Sequence, residues 1–176
     1  MSASIRLERL GARHVADLDA LVADPDVLRF TRVPEPAPPG FGRDWIARYE
    51  AGERDGTNAG FAAVDEAGAF VGLALAPEID VEARELELGY IVTPAARGRG
   101  VGSAMLRELT RWAFEEAGAL RAYLLIDTAN AASQRIAERC GYVLEGVHRS
   151  VYLKQGIRTD ITVWSRLPSD PEPAGP

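Results

Sequence analysis

The feature that most constrains this chain is a glycine-rich turn that joins a strand directly to a helix. It lies in the segment Tyr90-Ile-Val-Thr-Pro-Ala-Ala-Arg-Gly-Arg-Gly-Val-Gly-Ser-Ala-Met105. Apolar residues before Pro94 indicate a strand, and apolar residues at helical spacing after Gly100 indicate a long helix. The chain is therefore predicted to mix strands and helices in one fold.

The same turn is suited to binding an anion. Gly98, Gly100 and Gly102 have no Cβ, so a ligand can approach the backbone closely. The N–H groups and the dipole at a helix start favour negative charge, and Arg97 and Arg99 add positive charge beside them. These properties predict a phosphate site. The alternative is that the glycines only permit a tight connection.

Two other phosphate motifs fit this segment poorly. A P-loop requires Gly-x-x-x-x-Gly-Lys-Ser/Thr, and the sequence contains no such string. A dinucleotide-binding turn requires Gly-x-Gly-x-x-Gly/Ala. Its last position falls on Ser103 when counted from Gly98, and on Met105 when counted from Gly100. A nucleotide-binding protein of either kind is therefore disfavoured.

The rest of the chain alternates between strand and helix patterns. The turn Asp65–Gly68 predicts a hairpin. Strands are predicted at Ile5–Leu10, Phe61–Val64, Ala69–Leu75, Glu85–Val92, Arg121–Asp127, Tyr142–Leu153 and Ile157–Leu167, and helices at Ala16–Leu21, Trp45–Tyr49, Gly100–Ala117 and Ala131–Cys140. This order predicts an α/β (α+β mixed) class, with a mixed sheet and helices on its faces.

Length and composition predict a single domain. The chain has 176 residues, which suits one hydrophobic core over residues 1–167. The proline-rich tail, residues 168–176, has no apolar anchors and is predicted to be disordered. The proline-rich stretch Val33–Gly40 lies between helical patterns, so we expect a loop near a ligand cleft.

Charge and residue usage exclude several classes of protein. A net charge of −6 disfavours a general nucleic-acid binder. No apolar run approaches the ~18 residues that a membrane span needs, and charged residues such as Arg6 and Glu8 argue against a signal peptide. The single cysteine, Cys140, fits a reducing, cytoplasmic location. With only His14 and His148 beside it, no metal site is predicted.

The glycine turn also carries a family resemblance. Arg97-x-x-Gly100-x-Gly102, after a strand ending Gly-Tyr-Ile-Val, resembles the acyl-CoA signature of the GNAT superfamily. Asn130-x-x-Ser133, followed by Cys140-Gly141-Tyr142 and Leu144-Glu145-Gly146, is similar to the branch that acetylates N-termini of ribosomal proteins. The resemblance implies a mostly antiparallel central sheet flanked by helices on both faces. It covers most of the chain and is clearest from residue 85 to residue 146.

The resemblance implies acetyl-CoA as cosubstrate and assigns residues to it. The backbone of Ile91 and Val92 would contact the pantetheine arm, and the turn would hold the pyrophosphate through its N–H groups. Asn130 would contact the pantetheine arm, or would only cap the following helix. The implied cofactor-binding residues are Ile91, Val92, Arg97, Gly98, Arg99, Gly100, Val101, Gly102, Ser103, Asn130 and Ser133.

Two catalytic residues are implied in the same way. Glu87 lies where histone-acetylating relatives carry their glutamate, and a carboxylate can take the proton that an attacking amine loses. Its alternative is a solvated strand residue, and Glu85 shares its face of the strand. Ser133 falls near the predicted position of the cofactor sulfur, where it would protonate the leaving thiolate or only complete the first helical turn.

Two positions depart from the family pattern. Many GNAT enzymes carry an acidic tyrosine where this chain has Ala137, and the ribosomal-protein branch can carry a glutamate where this chain has Tyr152. Tyr152 would orient substrate or pack at a strand edge. Cys140 is predicted to be a buried residue rather than a nucleophile.

Four further aromatic positions carry expectations. Trp112 and Trp164 are expected in the core. Phe41 and Trp45, close to the proline-rich loop, are candidates for lining an acceptor cleft.

The sequence therefore supports two functional hypotheses. The first is an N-acetyltransferase that moves an acetyl group from acetyl-CoA to a primary amine by direct attack in a ternary complex. The acceptor would be a protein N-terminus, a lysine or a small-molecule amine, and the enzyme a monomer or homodimer. The second is a non-catalytic acyl-CoA-binding sensor or interaction module, which the absence of a tyrosine at position 137 favours.

Overall fold

The computed structural model of the chain describes residues 3–173. Its strands are β1 (Ile5–Arg9), β2 (Ala59–Asp65), β3 (Phe70–Asp80), β4 (Glu85–Val92), β5 (Arg121–Asp127), β6 (Val143–Lys154) and β7 (Ile157–Arg166). Its α-helices are α1 (Val15–Leu21), α2 (Pro25–Phe30), α3 (Phe41–Asp55), α4 (Val101–Glu115) and α5 (Ala131–Arg139). No helix among these residues is both long and apolar enough to cross a membrane.

The strands form one seven-stranded sheet in the order β1-β2-β3-β4-β5-β7-β6. Every neighbouring pair is antiparallel except β4 and β5, which run parallel. The predicted mixed, mostly antiparallel sheet is therefore confirmed. The predicted hairpin around Asp65–Gly68 is present between β2 and β3.

The parallel pair opens in the middle of the sheet. β4 and β5 pair only from Glu85 opposite Arg121 to Glu87 opposite Tyr123, although β4 continues to Val92. On the other side of β4, the ladder to β3 is interrupted by a bulge between Leu75 and Glu78. Bulges bend strands and are frequent beside functional sites. The sheet is therefore split at its centre just beyond Glu87.

Helices cover both faces of this sheet, as predicted. On one face α4 packs with Met105, Leu106 and Leu109 completely buried in a cluster that also includes Leu124 and Trp164. On the other face α1 and α3 bury a second cluster against β3 and β4; its members include Leu18, Ile46, Tyr49, Leu73, Leu75 and Ile91. Both helices and sheet thus present an apolar surface to each other, which fixes the layers.

Two helices differ from the sequence-based expectation. The helix predicted at Trp45–Tyr49 extends from Phe41 to Asp55. Both of its ends are rich in solvent-exposed charged residues, so the apolar pattern indicated only its middle. Helix α2 was not predicted. Its start signals are present, since Asp24 accepts a hydrogen bond from the N–H of Val27 and Pro25 occupies the first turn. Six residues are too few for a periodic pattern.

The predicted tail begins beyond β7. Within its described part, the N–H of Leu167 donates to Asp170 at 2.8 Å and Arg166 pairs with Glu172 at 3.2 Å. Residues 174–176 lie outside the described residues. The single domain over residues 1–167 and the disorder of the tail stay predictions.

Candidate functional site

A cleft of about 610 Å³ lies where β4 and β5 separate. Its walls come from these two strands, from α3 and the segment before it, from the start of α5, and from the β6–β7 hairpin. The predicted proline-rich loop contributes Val33, Pro34 and Pro38. Four residues predicted for the site also line the cleft, namely Glu87, Ile91, Asn130 and Ser133.

Glu87 supplies a buried carboxylate to this cleft. Only 10% of its side chain is exposed, and Nη2 of Arg32 lies 3.2 Å from its Oε1. Burial raises the pKa of Glu87 above its usual value, and Arg32 opposes that rise only in part. Glu85, the alternative on the same strand, pairs with Arg121 at 2.8 Å and does not line the cleft. Of the two glutamates, Glu87 is therefore the one placed to act as a base.

The first turn of α5 carries the predicted serine. The N–H of Ser133 donates to the Asn130 side-chain oxygen at 3.1 Å, so Asn130 does cap the helix. This cap occupies only the amide oxygen, and both side chains line the cleft. A pantetheine contact from the Asn130 NH₂ group therefore stays a prediction.

Sequence reasoning missed Tyr90. Its hydroxyl group and Oγ of Ser133 share a hydrogen bond of 2.8 Å, and both residues line the cleft. Burial raises the pKa of Tyr90 well above its usual value, so the phenol keeps its proton. The sequence places these residues more than forty positions apart, and in the strand Gly-Tyr-Ile-Val the tyrosine passes for one more apolar residue. A tyrosine hydroxyl is thus supplied from β4, while Ala137 on α5 is fully buried.

The end of β4 offers main-chain groups to the opening. The main-chain N–H of Thr93 donates to the carbonyl of Val71 on β3 at 3.0 Å. Main-chain groups alternate in direction along a strand, so those of Ile91 also point to β3 and those of Val92 point to the opening. A Cβ on Gly72 of β3 would lie 2.2 Å from the carbonyl oxygen of Ile91, so this carbonyl does point towards β3. The carbonyl of Val92 instead accepts from Nε of Arg97 at 3.4 Å. Val92 is thus better placed than Ile91 for a main-chain contact.

The glycine-rich turn lies beyond the end of β4 and outside the lining of the cleft. Gly98 and Gly100 have φ angles of 72° and 80°, in the left-handed region that favours glycine. Among residues 3–173, no group accepts a hydrogen bond from the N–H groups of residues 101–103, which open α4. The Arg97 side chain points elsewhere, to Asp24 at 2.8 Å and Asp26 at 3.0 Å. The main-chain N–H groups of this turn therefore fit an anion, whereas the Arg97 side chain is engaged elsewhere.

Packing inside the protein, and not the approach of a ligand, explains why residue 102 is a glycine. A Cβ there would lie 2.9 Å from Cδ1 of Ile136 and 3.5 Å from Tyr90 and Val92. Its Cα therefore faces the protein interior, and the missing side chain lets α4 approach β4 and α5 closely. The N–H of Gly102 stays a predicted phosphate donor. Unpaired N–H groups on a glycine-rich turn fit the pyrophosphate of acetyl-CoA.

Burial and contacts locate the other residues that the sequence singled out. Cys140 is fully buried and its thiol donates to the carbonyl of Ser103 at 3.5 Å, so it is a core residue. Trp112 and Trp164 are buried as expected, and Phe41 and Trp45 line the cleft. Tyr152 also lines the cleft, and its hydroxyl donates to the carbonyl of Thr31 at 2.8 Å.

Comparison with known proteins gives a family match and one informative relative. The acetyltransferase (GNAT) domain model matches residues 4–143. YdaF of Bacillus subtilis (strain 168), a candidate ribosomal N-acetyltransferase, is 28% identical over 124 residues, which are 70% of this chain and 65% of YdaF. The match therefore spans slightly less than two thirds of that relative.

Solved structures share the fold over nearly the whole chain. RimL, a ribosomal L7/L12 α-N-protein acetyltransferase in complex with coenzyme A, has a TM-score of 0.87 at 18% identity and covers 94% of this chain and 95% of its own. A spermidine N-acetyltransferase from Vibrio cholerae, in complex with CoA and spermine, has a TM-score of 0.84 at 20% identity and covers 94% and 96%. At these identities the likeness establishes the fold.

Proposed function

Because this chain belongs to the acetyltransferase (GNAT) domain family, we propose that it transfers an acetyl group from acetyl-CoA to a primary amine. The observation that carries this proposal is the placement of Glu87. It is a buried carboxylate with a raised pKa at the point where β4 and β5 separate. A base that binds a proton more readily than an ordinary glutamate is suited to an amine that must lose one.

The cosubstrate would be held along the opening between the two strands. The N–H groups of residues 98–103 would bind the pyrophosphate, which the geometry of Gly98 and Gly100 supports. Main-chain groups of Val92 and the amide of Asn130 would bind the pantetheine arm. The thioester would then lie between Val92 and Ser133, next to the part of the cleft that contains Glu87.

Glu87 would act on the amine in a ternary complex. Its carboxylate, directly or through water, would take the proton that the nitrogen loses as it forms its bond to the acetyl carbon. The N–H of Val92 would polarise the carbonyl of the thioester as the C–S bond breaks. Holding both reactants in one cleft would supply much of the rate increase.

Ser133 and Tyr90 would assist the departing thiolate. Burial keeps the Tyr90 phenol protonated, so it is able to donate to Oγ of Ser133, and in that arrangement the serine O–H is free to point elsewhere. The serine proton would be delivered to sulfur, the serine oxygen would regain a proton from water, and Tyr90 would act as a positioning residue. This pair would replace the acidic tyrosine that many GNAT enzymes carry at the position of Ala137.

Thermal unfolding with acetyl-CoA tests this proposal, with NAD and ATP as controls. At about 100 times its dissociation constant, a ligand adds roughly 2.7 kcal/mol to the stability of the folded state. We expect a higher melting temperature with acetyl-CoA alone, followed by amine-dependent release of CoA thiol. No stabilisation by acetyl-CoA would overturn the proposal, and stabilisation without turnover on any amine would favour the non-catalytic sensor.

The finer predictions belong with this proposal. RimL acts on a protein N-terminus and the Vibrio cholerae enzyme on a polyamine, so shared fold leaves the acceptor open. The cytoplasmic location and the monomeric or homodimeric state stay predictions.

A further inference from the structure

The acceptor side of the cleft is an aromatic wall. Phe41, Trp45 and Tyr49 follow one another at single-turn spacing on α3, and all three line the cleft. The Phe41 and Trp45 rings meet edge to face with centroids 4.8 Å apart, and the Trp45 and Tyr49 rings stack at 6.2 Å. Phe41 and Trp45 are only partly buried. The wall thus presents aromatic surface that a flat apolar ligand could cover.

This wall lies close to the proposed base. Burial is the main cause of the raised pKa of Tyr49, and the charge of Glu87 adds to the rise. Tyr49 and Glu87 also line the same cleft. A ligand whose amine meets Glu87 would place the next part of its structure against α3.

Two of the three carboxylates on this side of the cleft have an arginine nearby. Glu87 is paired with Arg32, and Asp44 and Arg48 lie one helical turn apart on α3; all four line the cleft. The other carboxylate in the lining, Asp127, is on β5 and accepts from the N–H of Ala129 at 2.8 Å. A linear polyamine needs several carboxylates without cationic neighbours. This cleft instead offers one buried carboxylate and an aromatic surface.

We propose that the acceptor is a primary amine joined by a short aliphatic chain to an aromatic ring, and not a linear polyamine. This inference rests on the proposed acetyl transfer. The ring would pack on Phe41 and Trp45, the two partly exposed members of the wall, and the amine would displace Arg32 from Glu87. The same chemistry is available from a free arylalkylamine and from a polypeptide that begins with phenylalanine.

Rates of CoA-thiol release with matched amines test the inference. The panel is phenethylamine, n-butylamine, spermidine, and two short peptides that differ only in Phe or Ala at their first residue. We expect kcat/KM for phenethylamine to exceed those for n-butylamine and spermidine at least tenfold. The ratio between the peptides tells whether the ring is also accepted on a polypeptide. Spermidine or n-butylamine equal to phenethylamine would overturn the inference and leave the acetyltransferase proposal intact.

Two variants locate the ring subsite. Trp45→Leu should lower the phenethylamine-to-butylamine ratio about tenfold, a change of about 1.4 kcal/mol. Because both rates come from one preparation, the ratio does not depend on the folded fraction. Phe114→Leu removes a partly buried ring of α4 outside the cleft and should keep the wild-type ratio. An unchanged ratio in Trp45→Leu would remove the wall from acceptor recognition. No turnover of any amine, with no stabilisation by acetyl-CoA, would overturn both proposals.

Discussion

Arg32 and Glu87 form an ion pair whose two halves are very differently exposed. Nη2 of the arginine lies 3.2 Å from Oε1 of the glutamate, yet the arginine side chain is 61% exposed and the glutamate side chain 10%. Burial is fixed by the fold, whereas an exposed side chain exchanges its partner for water at little cost. The cation beside the proposed base can therefore be replaced by a ligand.

Removing this cation should change the pH dependence of catalysis. Arg32 lowers the pKa of Glu87 against the rise caused by burial. In Arg32→Ala the carboxyl group will therefore bind its proton up to a higher pH. We expect the acidic limb of the kcat/KM profile to move to higher pH. Arg43→Ala, an exposed residue of α3 outside the cleft, should leave the limb in place. A limb that moves to lower pH would contradict the assignment.

Replacing the base should separate activity from stability. Glu87→Gln removes the proton acceptor, so kcat should fall by about 10² or more. The folded-state pKa of Glu87 is raised, so the protonated carboxyl group favours the folded state. This contribution to the free energy of unfolding is complete below the unfolded-state pKa and is lost as pH rises through the folded-state pKa. At pH 7 the ionised carboxylate is therefore unfavourable. We expect the melting temperature of Glu87→Gln to equal or exceed that of the wild type at this pH.

Glu85→Gln is the matched control on the same strand. Glu85 pairs with Arg121 at 2.8 Å and lies outside the cleft. Its replacement should leave kcat within about threefold because Glu85 does not line the cleft, and it should change stability little because a largely solvated pair contributes ~0–1 kcal/mol. Equal turnover by Glu87→Gln and the wild type would remove Glu87 from the mechanism.

The parts that sequence reasoning predicted are those set by local pattern. The turn after β4 and helix α4 follow from glycine spacing and helical periodicity, and the cap of α5 follows from Asn130. The hydrogen-bond and ion-pair partners of the site residues could not be predicted in this way. Arg32 reaches Glu87, and Tyr90 reaches Ser133, only because the sheet brings distant segments together. No local pattern encodes these contacts, so the sequence identified the proposed base without its counter-ion.

The glycine turn can be tested through acetyl-CoA binding. In Gly100→Ala an alanine would have to adopt a φ of 80°, which costs roughly 1–2 kcal/mol in the left-handed region. It would also add a methyl group to the proposed phosphate turn. We expect loss of most of the melting-temperature rise that acetyl-CoA causes.

Gly68→Ala separates strain from binding. Gly68 also has a φ of 80°, and a Cβ there would meet nothing within 4 Å. It lies in the β2–β3 turn, far along the chain from the phosphate turn. This variant should lose a similar amount of stability and keep the full response to acetyl-CoA. A full response in Gly100→Ala as well would show that the turn does not bind the cosubstrate.

The bond between Tyr90 and Ser133 predicts a non-additive pair of variants. Ser133→Ala should lower kcat by about 10², as expected for a lost proton donor, with KM for acetyl-CoA nearly unchanged. Tyr90→Phe should lower kcat about three- to tenfold, the effect of one hydrogen bond of ~0.5–1.5 kcal/mol. Since Tyr90 would act only through the serine, Tyr90→Phe should have no further effect in the Ser133→Ala background. Ser133→Thr, which keeps a hydroxyl, should recover part of the loss. Effects that multiply in the double variant would show that Tyr90 acts independently of Ser133, by packing or by its own contact with the substrate.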